Sequence, residues 1–250
     1  MKICYHLTVL PPKMPETEAL SQEISTLRCY FDGHLTYLNP NISSPVYLPR
    51  ILFGFHKLRY IRSLEKEIDI HQVYNPDPFP FPILKWLRPP VIYSITSGVG
   101  QKKPNIRFLS SLTAVAVPDE RSLARLRGWG LKNVFLTRPG IDTTRFSHTS
   151  IPLDSEFRLL IGSAPWTKAQ FRTKGVTALL EIAQRNPEIQ LIFLWRGVLV
   201  DEMQRLVKRL NLDSQITILN EQVDVNQILA GVHATIALAT SPGIVKSYPH

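Results

Sequence analysis

Two periods alternate along this chain, and their alternation predicts its organisation. Short apolar runs at residues 2–10, 34–38, 68–74, 91–95, 114–117 and 134–137 read as buried strands. Between them the apolar spacing is helical: Leu20, Ile24 and Leu27 within 16–28, then Phe55, Leu58, Ile61 and Leu64 within 53–67. A further helix carries Leu123, Leu126 and Trp129, with Asp119 as its cap and Gly130 as its stop. After residue 157 the rhythm is cleaner. Strands at 158–161, 189–194, 216–219 and 235–239 enclose helices at 175–184, 201–210 and 224–233. Their inward faces are Val176, Leu179, Leu180 and Ala183, then Met203, Leu206, Val207 and Leu210, then Val225, Ile228, Leu229 and Val232. Strand, helix and strand in turn predict parallel sheet.

Between the two halves, Val134–Thr137 leads into Pro139-Gly140, a turn pair, and residues 143–156 have the polar, proline-containing composition of a linker. The expected architecture is therefore α/β, with two Rossmann-like parallel-sheet domains at 1–150 and 151–250. The second is incomplete, since a doubly wound sheet usually has five or six strands and this one shows four. A ligand is expected in the cleft between them.

Residues 1–150 hold 19 Lys and Arg against 11 Asp and Glu, while 151–250 hold 10 against 9, so nearly all of the +9 net charge lies in the first half. A basic first half suits an anionic partner. The helix expected at 53–67 has Lys57, Arg59, Arg62 and Lys66 off its apolar stripe. Its bland reading is a surface helix with solvated cations; the sharper one is contact with anionic lipid headgroups, aided by Phe53, Phe55 and Tyr60. No basic patch is interleaved with aromatic residues, so no nucleic-acid partner is expected. Cys4 and Cys29 have neither metal-ligand spacing nor a disulfide framework and read as buried thiols in a reducing compartment. The first twelve residues fit a strand rather than a signal peptide, and no apolar run approaches the ~18 residues of a membrane span. The expected location is cytoplasmic, with peripheral contact at the inner face of a membrane as the sharper option.

Candidate chemistry collects where strands end. Lys174 stands immediately before a helix, where free amides and the positive dipole end favour an anion. Lys168 and Arg172 precede it in an expected loop and could add charge-assisted contacts; a solvated, cation-rich loop is the alternative. Trp195-Arg196-Gly197 ends one strand, with a packed indole or a donor contact as its two readings. Asn220, Glu221 and Gln222 end the next. Asp77 stands alone among alternating prolines, and Thr96-Ser97 follows the strand at 91–95. No His-x3-His, His-Glu-x-x-His, Gly-x-Ser-x-Gly or paired-carboxylate motif is present, so neither a metal nor a covalent nucleophile is expected.

Arg138-Pro139-Gly140-Ile141-Asp142, followed by Arg145-Phe146, resembles the hinge of retaining, nucleotide-sugar-dependent glycosyltransferases of GT-B architecture. Gly162 and then Lys174-Gly175 follow as a strand end and a helix start do in that family. The resemblance implies sugar transfer from a nucleoside diphosphate sugar, a substrate rather than a cofactor, to a polysaccharide, lipid-linked or other glycoconjugate acceptor. It implies that Lys174, Gly175, Lys168 and Arg172 hold the donor diphosphate. Gly140, Thr96, Ser97, Trp195, Arg196, Gly197, Glu221 and Gln222 would line the donor cleft. The chain departs from the pattern in three places: residues 11–15 carry no glycine pair, Thr96 or Ser97 stands where a histidine is common, and no glutamate-pair helix follows residue 240. It therefore reads as a C-terminally truncated transferase with unassigned catalytic residues and weak or no activity. A non-catalytic two-lobed binding or scaffold protein and a nucleotide-sugar epimerase are the alternatives.

Overall fold

The structure, a computed structural model, describes residues 1–9, 19–40, 48–88, 90–140, 144, 146, 151, 156–162, 165, 167–195, 199–220 and 224–238. It divides after Gly140 into two compact units. The first holds six strands, β1 (Ile3–Leu7), β2 (Gly33–Tyr37), β3 (Ile70–Asn75), β4 (Val91–Ile95), β5 (Ala114–Val117) and β6 (Val134–Leu136). They form one sheet in the order β2-β1-β3-β4-β5-β6, and every pairing is parallel. Its α-helices are α1 (Ala19–Tyr30), α2 (Leu58–Leu64), α3 (Ile106–Ser110) and α4 (Glu120–Gly128). The second unit pairs β7 (Phe157–Ile161), β8 (Ile189–Leu194), β9 (Ile216–Leu219) and β10 (Ala234–Ile236) in the order β10-β7-β8-β9, again all parallel. Around them lie α5 (Lys168–Thr173), α6 (Val176–Arg185), α7 (Val200–Arg209) and α8 (Val225–Leu229). The expected α/β class with two Rossmann-like parallel sheets is the class observed.

The two-residue period of β1 divides two packings. Ile3, Tyr5 and Leu7 bury against Ile24 of α1, whereas Cys4 packs with Leu64 at the end of α2 and with Ile68. Cys4 is buried as expected, but Cys29 is exposed, near the end of α1. A larger core joins Val73, Tyr93, Ile95 and Val115 of the sheet to Ile61, Phe108, Leu109 and Leu126 of the helices. The second unit has its own core, in which Leu159, Ile161, Leu191 and Phe193 meet Val176, Leu179, Leu180 and Ala183 of α6 and Met203 and Val207 of α7. Asp119 caps α4 as its residue type predicts, its carboxylate accepting the Ser122 N–H at 2.8 Å.

Two helices differ from expectation. The pattern at 53–67 gives only the seven residues of α2, because Gly54 takes a left-handed φ of 85° and a 3-10 turn over Phe55–Lys57 follows it. Phe53 is buried in the core and Phe55 packs against it, so neither is a lipid-facing aromatic. The stretch 168–173, expected as loop, is helical because Phe171 gives it one buried anchor.

Candidate functional site

Each sheet reverses its strand order once, and open α/β sheets bind ligands outside the carboxyl ends of strands at such a reversal. In the first unit the switch lies between β1 and β3; in the second it lies between β7 and β10. Both rims carry built polar or cationic corners.

On the second unit, β7 ends at Ile161 and exposed Gly162 follows it. Helix α5 then stops where the Lys174 N–H donates to Gln170 O at 2.8 Å and the Gly175 N–H to Arg172 O at 3.0 Å. Gly175 adopts φ 72°, turning the chain into α6. A side chain there would be strained, and its Cβ would lie 2.6 Å from the Cβ of Leu238, just past β10. The contact fixes the location of the Lys174-Gly175 corner: it sits by the carboxyl end of β10, the strand that flanks β7 across the switch. Among the described residues no side-chain hydrogen bond caps α6, and its first turn carries no acidic residue. Lys174 is 9% exposed.

The two further cations expected beside Lys174 sit on α5 rather than in a loop. Arg172 is exposed. The Lys168 ammonium stands 3.4 Å from Glu202 of α7, in a groove lined also by Phe171, Arg205, Leu206 and Arg209. This pair is largely solvent-exposed and therefore weak. Trp195 is fully buried, its ring centroid 5.7 Å from that of Phe171 and 6.3 Å from that of Phe193. Its indole serves the core and seats α5. Arg196, Gly197, Glu221 and Gln222 lie outside the described residues, as do Ile141, Asp142 and Arg145 of the hinge string.

On the first unit, the rim at the β1/β3 switch is closed by a polar node that sequence spacing did not reveal. Arg50 grips Asp77 with both terminal nitrogens, at 2.9 and 2.8 Å, and donates to Asn75 Oδ1 at 3.3 Å. Its guanidinium lies 4.3 Å from the centroid of the Phe79 ring. Asn75, at the end of β3, takes the Thr8 hydroxyl and donates to Asp77 Oδ1 at 2.8 Å. Tyr93 donates its hydroxyl to Asp77 O at 3.1 Å and Phe79 O at 2.9 Å. Burial pushes the Asp77 carboxyl up, but the Arg50 guanidinium, the Asn75 amide and the Phe79 N–H outweigh it and hold it below the usual carboxylate value. Burial raises the Tyr93 phenol well above its ordinary value. Arg50 and Asp77 lie 27 residues apart, which is why no local motif joins them. The alternating prolines marked the stiff loop but not its clamp.

Thr96 and Ser97 follow β4 on this rim, their N–H groups bound to Asn75 O at 2.9 Å and Pro76 O at 3.1 Å. The loop continues to Val99, whose N–H donates to Ser122 Oγ at 2.8 Å and whose carbonyl takes Arg125 at 2.7 Å. Gly140 is exposed, where the first unit ends. Of the basic quartet, Arg59 and Lys66 are exposed, as is Tyr60; Lys57 is half-buried, and Arg62 pairs with Glu65 at 3.2 Å. Among the described residues no helix is long and apolar enough to cross a membrane.

No protein-family model and no curated protein matches the sequence. Solved structures do match in fold. The chain is similar to Anabaena Alr3699/HepE, crystallised with UDP and glucose: TM-score 0.62, 15% identity, over 98% of this chain and 76% of that one. It is similar to WaaG, a glycosyltransferase involved in lipopolysaccharide biosynthesis, at TM-score 0.63 and 12% identity over 96% of this chain and 75% of that one. It also resembles S. aureus MnaA, solved with UDP, at TM-score 0.54 and 13% identity over 92% and 71% of the two chains. The chain shares with these structures an α/β fold of the GT-B type, two parallel sheets each flanked by helices.

Proposed function

We propose that this chain binds a nucleoside diphosphate sugar on its second unit and passes the sugar, with retention, to a glycoconjugate acceptor. The observation that carries the reading is the Lys174-Gly175 corner at the β7/β10 switch. There a cation and the uncapped amides of α6 stand together at the carboxyl edge of a doubly wound sheet. Charge develops on the departing diphosphate, so a fixed ammonium and helix dipole aimed at it lower the barrier without side-chain acid–base chemistry. Lys168 and Arg172, from α5, would add to that field once the exposed Glu202 pair opens. Gly162, Arg196, Gly197, Glu221 and Gln222 complete the donor side of the proposal. Thr96 and Ser97 offer hydroxyls at the end of β4, with Gly140 at the unit boundary. Exposed Arg59, Lys66 and Tyr60 favour an acceptor carried at an anionic membrane surface.

The second reading is binding without transfer, in which the hydroxyls that follow β4 hold the sugar and no group acts on it as acid or base. The test separates the readings. UDP, GDP and ADP are each added to the purified 250-residue chain and thermal unfolding is followed. At least one should raise Tm, and Lys174→Ala should remove the rise while leaving the unliganded Tm within a few degrees. No rise with any of the three, or a rise that survives Lys174→Ala, refutes the site. Release of nucleoside diphosphate from the matching sugar donor, only with acceptor glycan present, then separates transfer from binding.

A further inference from the structure

A second cluster of chemical groups lies inside the first unit, away from either strand rim, and the proposed transfer makes no use of it. Cys4 and His6 are two residues apart on β1 and so share one face of the sheet. His71, on β3, is the register partner of Cys4, and Thr36, on β2, is the partner of His6. All four are buried, the two histidines and Cys4 completely. Cys4 Sγ and one ring nitrogen from each histidine lie within 4.8 Å of one another.

The outer ring nitrogens matter as much as the inner ones. His6 Nδ1 is 2.5 Å from Thr36 Oγ1, and His71 Nε2 faces Glu65 Oε1 at 3.5 Å without a hydrogen bond. The inner pair, His6 Nε2 and His71 Nδ1, share a hydrogen bond of 2.8 Å, which a metal ion would replace. If each outer nitrogen carries its proton toward the oxygen beside it, two lone pairs and a sulfur converge on one point. Metal-bound histidines commonly have their other N–H held by a carboxylate or another oxygen, and Thr36 Oγ1 and Glu65 Oε1 stand on that side of the two rings. Thiolate and imidazole ligands together select a borderline-soft divalent ion of the zinc class. His34, half-buried, is the register partner of Cys4 on β2 but stands outside the 4.8 Å cluster.

We propose that Cys4, His6 and His71 form a three-ligand zinc site within the core of the first unit, oriented by Thr36 and Glu65. Binding breaks the Cys4 S–H bond, forms S–Zn and releases the proton to solvent. The Cys4 thiolate and the Glu65 carboxylate, which also holds Arg62 at 3.2 Å, then offset the charge of the ion. Tetrahedral bonds of ~2.05 Å to nitrogen and ~2.3 Å to sulfur would separate the two nitrogens by about 3.3 Å and the sulfur from each by about 3.6 Å. The rings then part by about half an ångström and Cys4 Sγ, now within 4.8 Å of both, closes onto the ion. The spacing of Cys4 and His6 follows no zinc-motif pattern, and only strand pairing supplies His71.

Because the cluster is sealed from solvent, zinc must enter during folding. The full chain is therefore refolded with Zn2+ or with chelator, dialysed and assayed for metal. The expected result is about one zinc per chain and a Tm higher by roughly 5–10 °C than the chelated protein. Refolding with Co2+ should give a thiolate-to-cobalt charge-transfer band. Cys4→Ser should abolish the band, and Cys29→Ser, which removes the exposed thiol, should keep it. Absence of retained zinc with no change in Tm, or a cobalt band lost in Cys29→Ser instead, overturns the site. The Cys29→Ser comparison stands even if Cys4→Ser fails to fold, and nucleotide binding is a separate readout on the second unit.

Discussion

Gly175 concentrates two constraints in one residue. Its φ of 72° costs an L side chain about 1–2 kcal/mol, and a Cβ would meet Leu238 at 2.6 Å. Gly175→Ala should therefore lower stability by about 2 kcal/mol or more in urea unfolding and weaken nucleotide binding, because the Lys174 corner must shift to relieve the contact. Arg50 is the corresponding residue of the first unit. Its two-pronged grip on Asp77 and its place over Phe79 predict a loss of about 1 kcal/mol for Arg50→Ala. Arg50→Lys should recover little of it, since an ammonium offers neither the fork nor the flat face. The loss is also pH-dependent in a definite direction. Asp77 is held below its unfolded value, so the pair's electrostatic contribution is complete above about pH 4 and fades as pH falls through the folded value. The urea midpoints of wild type and Arg50→Ala should differ equally at pH 7 and pH 5 and converge below pH 4.

Among elements, α5 shows how little local pattern a short helix needs when a core is ready to receive it. Its six residues have one buried side chain, Phe171, which meets the buried Trp195 at the end of β8. Propensity alone would not hold so short a segment. Trp195→Ala should cost about 3–5 kcal/mol in the second unit and loosen α5, observable as faster amide exchange over 168–173. Helix α2 shows the converse. Its apolar spacing extends over 53–67, but a left-handed Gly54 and a 3-10 turn shorten it, and Phe53 is taken into the core. Periodicity reported which side chains face inward and overstated how far the helix runs.

Over the whole molecule, two sheets with separate cores explain why the halves differ so strongly in charge. Each buries its own apolar faces, so surface composition is free to diverge between them. The basic excess of residues 1–150 lies on the unit with exposed Arg59 and Lys66, while the nearly neutral second half carries the Lys174-Gly175 corner. Both sheets reverse strand order once. That is the property which turns a row of strand ends into a crevice.

The strands at 91–95, 114–117, 189–194 and 216–219 were legible to the residue because short apolar runs between turn signals have few other ways to be buried. The Asp119 cap and the helix start after Gly175 were legible because capping and left-handed turns are local chemistry. Long-range neighbours were not. Arg50 meeting Asp77, His71 meeting His6, Lys168 turning to Glu202 and Trp195 sinking under α5 all depend on which strands pair and which helices cover them. Local residue order encodes the periods and the turns; the register between distant strands decides which of those residues share a site.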